Sequence, residues 1–454
     1  MEKRIRPAVL LPLILLLFVT LFHAYLLGLE KAERFQDAYR WQPWRGDLLE
    51  KAGFAAFAEA DYETAIASFL QARQNGALSA AGQRSLAAAY LQSDQPEQAL
   101  QEWETLLQNG LADEEILLAL AAAYHQRGDF EREAQILQRG IQTAPQNAEF
   151  HWRMGLLKLA EAPLEAFPFF ERVQALDPKP GYPLRELILT LDRVILADSP
   201  AYRLTVSAQS LAALGEWQLA RQGLERAVQA DPAYAPAWGL LGEARQQTGS
   251  DQALPALQKS LQLDPTSASV YAYLGLYWQR RNDFVRASQA FRQALQWEPD
   301  NPVWWLNLGE LAYRQGNLPD SYAYYLRATE IAPRDSGVWR ALALFCVQTG
   351  GCLEQDGRPA ALKAHSLEQD NWLNSDTLGQ VLMALGHDAD ARYFYERAIR
   401  LAPGQAAPRY HLGLLDLRQG NGDSARQNLQ TALDLDPHGP LAETIRSVLE
   451  RYLP

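Results

Sequence analysis

Beyond residue 45 the chain repeats one arrangement of apolar and polar positions. Large apolar residues recur three, four and seven apart, which gathers them on one stripe of a helix. In Ala268–Asn301, Tyr271, Leu274, Gly275 and Trp278 share a face of a first helix. Asn282 and Asp283 then turn the chain, and Ala287, Phe291 and Ala294 line a second helix that stops before Pro299. The following unit repeats this with Trp305, Leu308, Gly309, Gly316, Tyr325, Ala328 and Pro333, and the last with Leu412, Gly413, Gly420, Ala425, Leu429, Ala432 and Pro437. The closing prolines 145, 178, 232, 265, 299, 333, 403 and 437 are spaced 33, 54, 33, 34, 34, 70 and 34. The 70 is two units with two extra residues, and the 54 is one unit with an insertion.

Each residue type has a physical role at its place. Gly or Ala at the eighth and twentieth places lets two helix backbones approach, Gly-Asp or Gly-Asn ends one helix and caps the next, and proline stops the second helix. The pattern resembles the tetratricopeptide repeat (TPR) family, with W-x2-L-G-x2-Y, then A-x3-F-x2-A and a closing proline over 34 residues. The resemblance covers residues 46–437 in about eleven units, beginning near 46, 80, 114, 148, 201, 235, 268, 302, 336, 372 and 406. It implies an all-α fold: a TPR-type right-handed superhelical solenoid of helix pairs. Three departures stand out. Residues 181–200 carry Leu184, Ile188, Leu191 and Ile195 at helical spacing and predict one extra helix. The unit 336–371 leaves the pattern after Cys346, which predicts a longer loop and an atypical second helix. Pro168 and Pro255 predict second helices that start late or kink. Residues 438–454 read as a capping helix that hides the last apolar face, with Leu441, Ile445, Val448, Leu449 and Tyr452 on one side.

The N-terminus follows a different rule. A basic tail at 1–6, with Lys3, Arg4 and Arg6, precedes an almost unbroken apolar run at 7–29. Twenty-three residues of helix reach about 34 Å, enough for a hydrocarbon core of about 30 Å. The run is too long for a signal peptide and lacks a small-residue cleavage site, so it predicts a single transmembrane anchor. The leading basic residues favour an inside N-terminus and an extracytoplasmic array. Residues 30–45 read as a polar and aromatic link, with Trp41 and Trp44 either at the membrane interface or capping the first unit.

Composition narrows the function. The chain of 454 residues is 48% hydrophobic and carries a net charge of −12, with seven lysines, which argues against nucleic acid. Phosphate-binding, Rossmann, zincin and hydrolase-elbow motifs are absent from the sequence, and its seven histidines are scattered, so no enzyme, cofactor or metal site is expected. The two thiols, Cys346 and Cys352, are either bonded to each other or left as one buried and one loop cysteine.

The resemblance implies that the first helix of each pair lines a concave groove and touches ligands at its second, fifth, ninth, twelfth and thirteenth places. Those places hold Gln279, Arg280, Glu310, Tyr313, Arg314 and Arg340, and in earlier units Arg84, His125, Gln126 and Trp152. The arginines suit a carboxylate-bearing partner. The expected function is a non-catalytic membrane-anchored scaffold or adaptor. It would bind protein or peptide partners, themselves membrane-associated, during assembly of a cell-envelope or membrane complex. The alternative is an accessory subunit presenting substrate to a membrane enzyme such as a glycosyltransferase or a polymer-export machine.

Overall fold

The computed structural model describes residues 7–177 and 183–452, with side chains from residue 17 onward. Among these the chain forms twenty-six α-helices and no strand. The basic tail at 1–6 lies outside the described residues.

Helical hairpins occupy the chain from Asp47 to Leu435. The first five are repeat 1 (Asp47–Ala58, Tyr62–Gln74), repeat 2 (Ala80–Gln92, Pro96–Gln108), repeat 3 (Glu114–Arg127, Phe130–Thr143), repeat 4 (Ala148–Glu161, Phe167–Leu176) and repeat 5 (Pro200–Ala213, Trp217–Ala230). A further helix, Leu184–Ile195, stands between repeats 4 and 5. The others are repeat 6 (Ala235–Gln247, Ala253–Leu263), repeat 7 (Ala268–Arg280, Phe284–Trp297), repeat 8 (Pro302–Arg314, Leu318–Ile331), repeat 9 (Ser336–Thr349, Arg358–Leu367), repeat 10 (Trp372–Ala384, Asp388–Leu401) and repeat 11 (Ala406–Arg418, Gly422–Leu435), followed by Ala442–Tyr452. The chain divides into two compact units, residues 1–232 and 233–454.

Within a hairpin the two helices meet where the first is smallest. A methyl group on Gly275 would come 2.7 Å from the Phe291 ring, and one on Gly379 would come 2.6 Å from Tyr395. The glycine is therefore a socket for the aromatic ring of the second helix, and both rings are fully buried. Between helices, Asp61, Asp129 and Asp283 accept from the backbone N–H three residues on at 3.0–3.2 Å and start the second helix. The residue before each closing proline leaves helical geometry, as at Glu298 (φ −130°, ψ 72°). Pro168 and Pro255 sit in the first turns of shortened second helices, Phe167–Leu176 and Ala253–Leu263. The last helix covers Leu429 and Ala432 with Ile445, whereas Tyr452 is exposed.

Repeat 9 departs as its sequence does. Cys346 and Cys352 are joined by a disulfide. A π-turn at Leu353–Gly357 packs against them, and the Tyr322 hydroxyl of repeat 8 donates to Asp356 at 2.7 Å.

The N-terminal helix runs Pro7–Lys31. Among the described residues, which for its side chains begin at Leu17, no helix is long and apolar enough to cross a membrane. The transmembrane span expected at 7–29 is therefore not found among them. Residues 30–45 are also not a simple link. Glu33 takes a left-handed conformation (φ 56°) and reverses the chain, and Phe35–Trp41 forms a helix that folds back along the first. Leu26, Leu29, Ala38 and Leu48 bury one another, and Arg45 pairs with Glu30 at 2.6 Å.

Candidate functional site

The face formed by successive first helices carries the candidate groove, and the N-terminal unit divides it into two regions. Over repeats 1–3, Phe54, Phe57, Arg84, Trp103 and Ile116 line an open cleft of about 420 Å³. Arg84 is held by Asp113 at 2.7 Å, the residue that also caps the first helix of repeat 3 through the Ile116 N–H.

The second region is crossed by a bridge between hairpins. His125, at the twelfth place of repeat 3, directs Nδ1 to Glu133 at 3.0 Å and Nε2 to Glu216 at 2.8 Å. Glu133 belongs to the same hairpin, but Glu216 lies 91 positions along the chain, at the start of the second helix of repeat 5. Repeat 5 thus reaches over repeat 4 to touch repeat 3. Gly128 meets Gln218 at the same crossing, since a methyl group there would lie 2.6 Å from Oε1. With a carboxylate against each ring nitrogen, both nitrogens donate, so His125 is an imidazolium. The bonds to Glu133 and Glu216 raise its pKa to about 9, while burial pushes the Glu133 carboxyl up. Beneath this bridge a cavity of about 230 Å³ is lined by Gln126, Trp152 and the Arg153–Glu149 pair. Trp152 is buried, edge-on to Phe170. It is wall rather than open groove.

In the C-terminal unit the expected cluster of three arginines is resolved into separate pairs. Arg280 reaches back one repeat to the buried Glu243 at 3.1 Å, which also accepts from Gln246 and Gln247. Arg314 pairs within its own helix with Glu310 at 2.7 Å. Arg340 donates to Asn374 of repeat 10 at 3.2 Å. Tyr313 packs edge-on to Phe345, and the Gln279 side-chain oxygen is buried without a hydrogen-bond donor. Arg280 and Arg340 link neighbouring repeats, whereas Arg314 is held within its own helix.

Several residues of this face went unmarked in the sequence. Glu133 occupies the twentieth place, where repeats 1, 2, 5, 7, 10 and 11 have alanine, so its carboxylate displaced a helix-contact residue. Glu216 stands where other repeats place an Asp or Asn cap, and it makes no cap bond. Glu243 and Asp376 sit at the ninth and fifth places of repeats 6 and 10, and Asp376 accepts from His411 at 2.8 Å. Among the described residues no group of three or more His, Cys, Asp or Glu side chains is placed to hold a metal ion.

Two tetratricopeptide repeat family models match, at residues 84–148 and 279–345. Over these residues the chain carries tetratricopeptide repeats. Similar curated proteins include the human protein O-mannosyl-transferase TMTC1, 28% identical over 174 residues, 37% of this chain and 18% of that protein. The type IV pilus assembly protein PilF of Pseudomonas aeruginosa is 30% identical over 105 residues, 23% of this chain and 42% of that protein. The chain spans less than a fifth of the transferase and less than half of the pilus protein. Among solved structures, yeast Tom70 overlays with a TM-score of 0.46 at 15% identity, covering 89% of this chain and 95% of that one. The two family-model matches lie within repeats 2–4 and repeats 7–9.

Proposed function

We propose that this chain is a non-catalytic scaffold that binds protein or peptide partners on its first-helix face while its N-terminal helix tethers it to a membrane. The observation that carries the reading is the cleft of repeats 1–3, where Phe54 and Phe57 offer apolar surface beside the Arg84–Asp113 pair. An apolar cleft with few charged groups at its edge suits a side chain of a partner segment. The tether rests on the apolar sequence at 7–29 and its continuation into a helix docked on the array. The disulfide favours an oxidising, extracytoplasmic setting for the repeats. Such a scaffold fits assembly of a cell-envelope or membrane complex, where tethering raises the effective concentration of partners already in the bilayer.

Similarity to part of the O-mannosyl-transferase supports a second reading, in which the array presents substrate to a membrane enzyme such as a glycosyltransferase or a polymer-export machine. Photocrosslinking in the native cell tests both. A photoreactive residue at Phe57 should capture a defined protein, whereas one at the exposed Lys259 should not. An assembly component among the products supports the scaffold and a membrane transferase the accessory subunit. Equal capture at both positions, or none at Phe57, refutes the groove.

A further inference from the structure

The folded-back segment at 30–45 changes where the tether can leave the bilayer. Hydropathy alone places the hydrocarbon boundary at Leu29. The helix Phe35–Trp41, however, returns alongside the first helix until Trp41 meets Phe22 edge-on, with ring centroids 5.7 Å apart. Phe22 lies seven residues before Leu29, about 10 Å deeper along the helix. If hydrocarbon reached Leu29, it would also engulf Trp41 and its neighbour Arg40, whose side chain is 78% exposed. An arginine inside the bilayer is costly even on the mildest scale. Tryptophan and arginine together favour the headgroup layer.

We infer that the lipid boundary falls at the level of Phe22 and Trp41, and that Arg40, Trp41 and Trp44 rest on the headgroups, seating repeat 1 on the membrane surface. The inference rests on the tether reading above. Its partner is the lipid surface. Leu17, Phe18, Val19 and Leu21 on the stem are each more than half exposed, and Trp44 beyond the folded-back helix is 76% exposed, so both offer apolar surface to lipid. Further along the same helix, Leu26 and Leu29 are already covered by Ala38 and Leu48. Gln36 donates to Ser68 and Asn75 to the Tyr39 hydroxyl, which fix the short helix to repeat 1. The sixteen residues from Pro7 to Phe22 span about 24 Å, shorter than a hydrocarbon core of about 30 Å. That mismatch draws the array toward the membrane instead of letting it stand off on a stalk.

Cys346 and Cys352 are bonded, so a cysteine introduced elsewhere is open to selective labelling. The full chain carrying Phe18→Cys, Leu27→Cys or Trp44→Cys, labelled with an environment-sensitive dye, is reconstituted into phosphatidylcholine and phosphatidylglycerol vesicles. We expect mid-chain nitroxide lipids to quench the dye at position 18, headgroup nitroxides to quench it at 44, and aqueous iodide to reach 27. Mid-chain quenching and iodide shielding at 27, with 44 open to iodide, would move the boundary back to Leu29 and overturn the inference while leaving the tether intact. Failure of the unmodified chain to float with the vesicles would overturn the tether, and this inference with it.

Discussion

Replacing His125 by glutamine removes the cation that joins repeats 3 and 5. A pKa raised from 6.5 to about 9 corresponds to at most about 3.5 kcal/mol of stabilisation. Burial of Glu133, which raises its carboxyl pKa, opposes part of this, and the quarter-exposed imidazole is screened by solvent. We therefore expect on the order of 1–2 kcal/mol. The sign follows from the direction of the shift. A histidine whose pKa is higher in the folded state stabilises fully below about 6.5 and loses that contribution as pH rises toward 9. The surrounding charges are Glu133 on its own hairpin, the Glu149–Arg153 pair on repeat 4 and Glu216 on repeat 5. Hydrogen exchange with mass spectrometry on the full chain reads peptides from Glu114–Arg127 and Trp217–Ala230. At pH 6 His125→Gln should accelerate their opening about tenfold. Between pH 6 and pH 8.5 the parent should lose protection, after correction for intrinsic exchange, and the variant should change little. Equal protection in parent and variant at pH 6, or a parent insensitive to pH, would refute the bridge.

Two further outcomes test the packing. Phe291→Ala empties the Gly275 socket and should destabilise repeat 7 by about 3–5 kcal/mol, read as a loss of helical signal at lower urea concentration. Reduction of the Cys346–Cys352 disulfide, a sequence separation of 6, should cost about 2 kcal/mol by the loop-entropy relation. Differential exchange in Ser336–Leu367 with and without dithiothreitol measures it.

How much was legible in the sequence depended on how near the partners lie along the chain. Gly275 and Phe291 are packed within one hairpin, so their spacing recurs and can be read from a single unit. The turn at Asn282 and Asp283 is equally local: the first takes a left-handed φ of 58° and the second caps the next helix. The bridge from His125 to Glu216 crosses 91 positions and involves a repeat that is not adjacent, so no window of one unit reveals it. Its traces were two local exceptions, a carboxylate at the twentieth place of repeat 3 and a glutamate that does not cap in repeat 5. The reversal at residue 33 left no such trace, because a glutamate and not a glycine adopts the positive φ. Arg280, Arg314 and Arg340 lie on first helices, a placement the repeat spacing already specifies. Their pairing with Glu243 and Asn374 depended on residues one repeat away whose side chains had to be placed in space.

The contact between repeats 3 and 5 also bears on mechanical behaviour. In an ordinary stack each hairpin leans only on its neighbours, so a chain drawn out from one end unzips hairpin by hairpin. Here repeat 4 is clasped between partners that hold each other. Under load in an optical trap, these three hairpins should yield in a single long step, and these hairpins would behave as a rivet among neighbours that open one at a time.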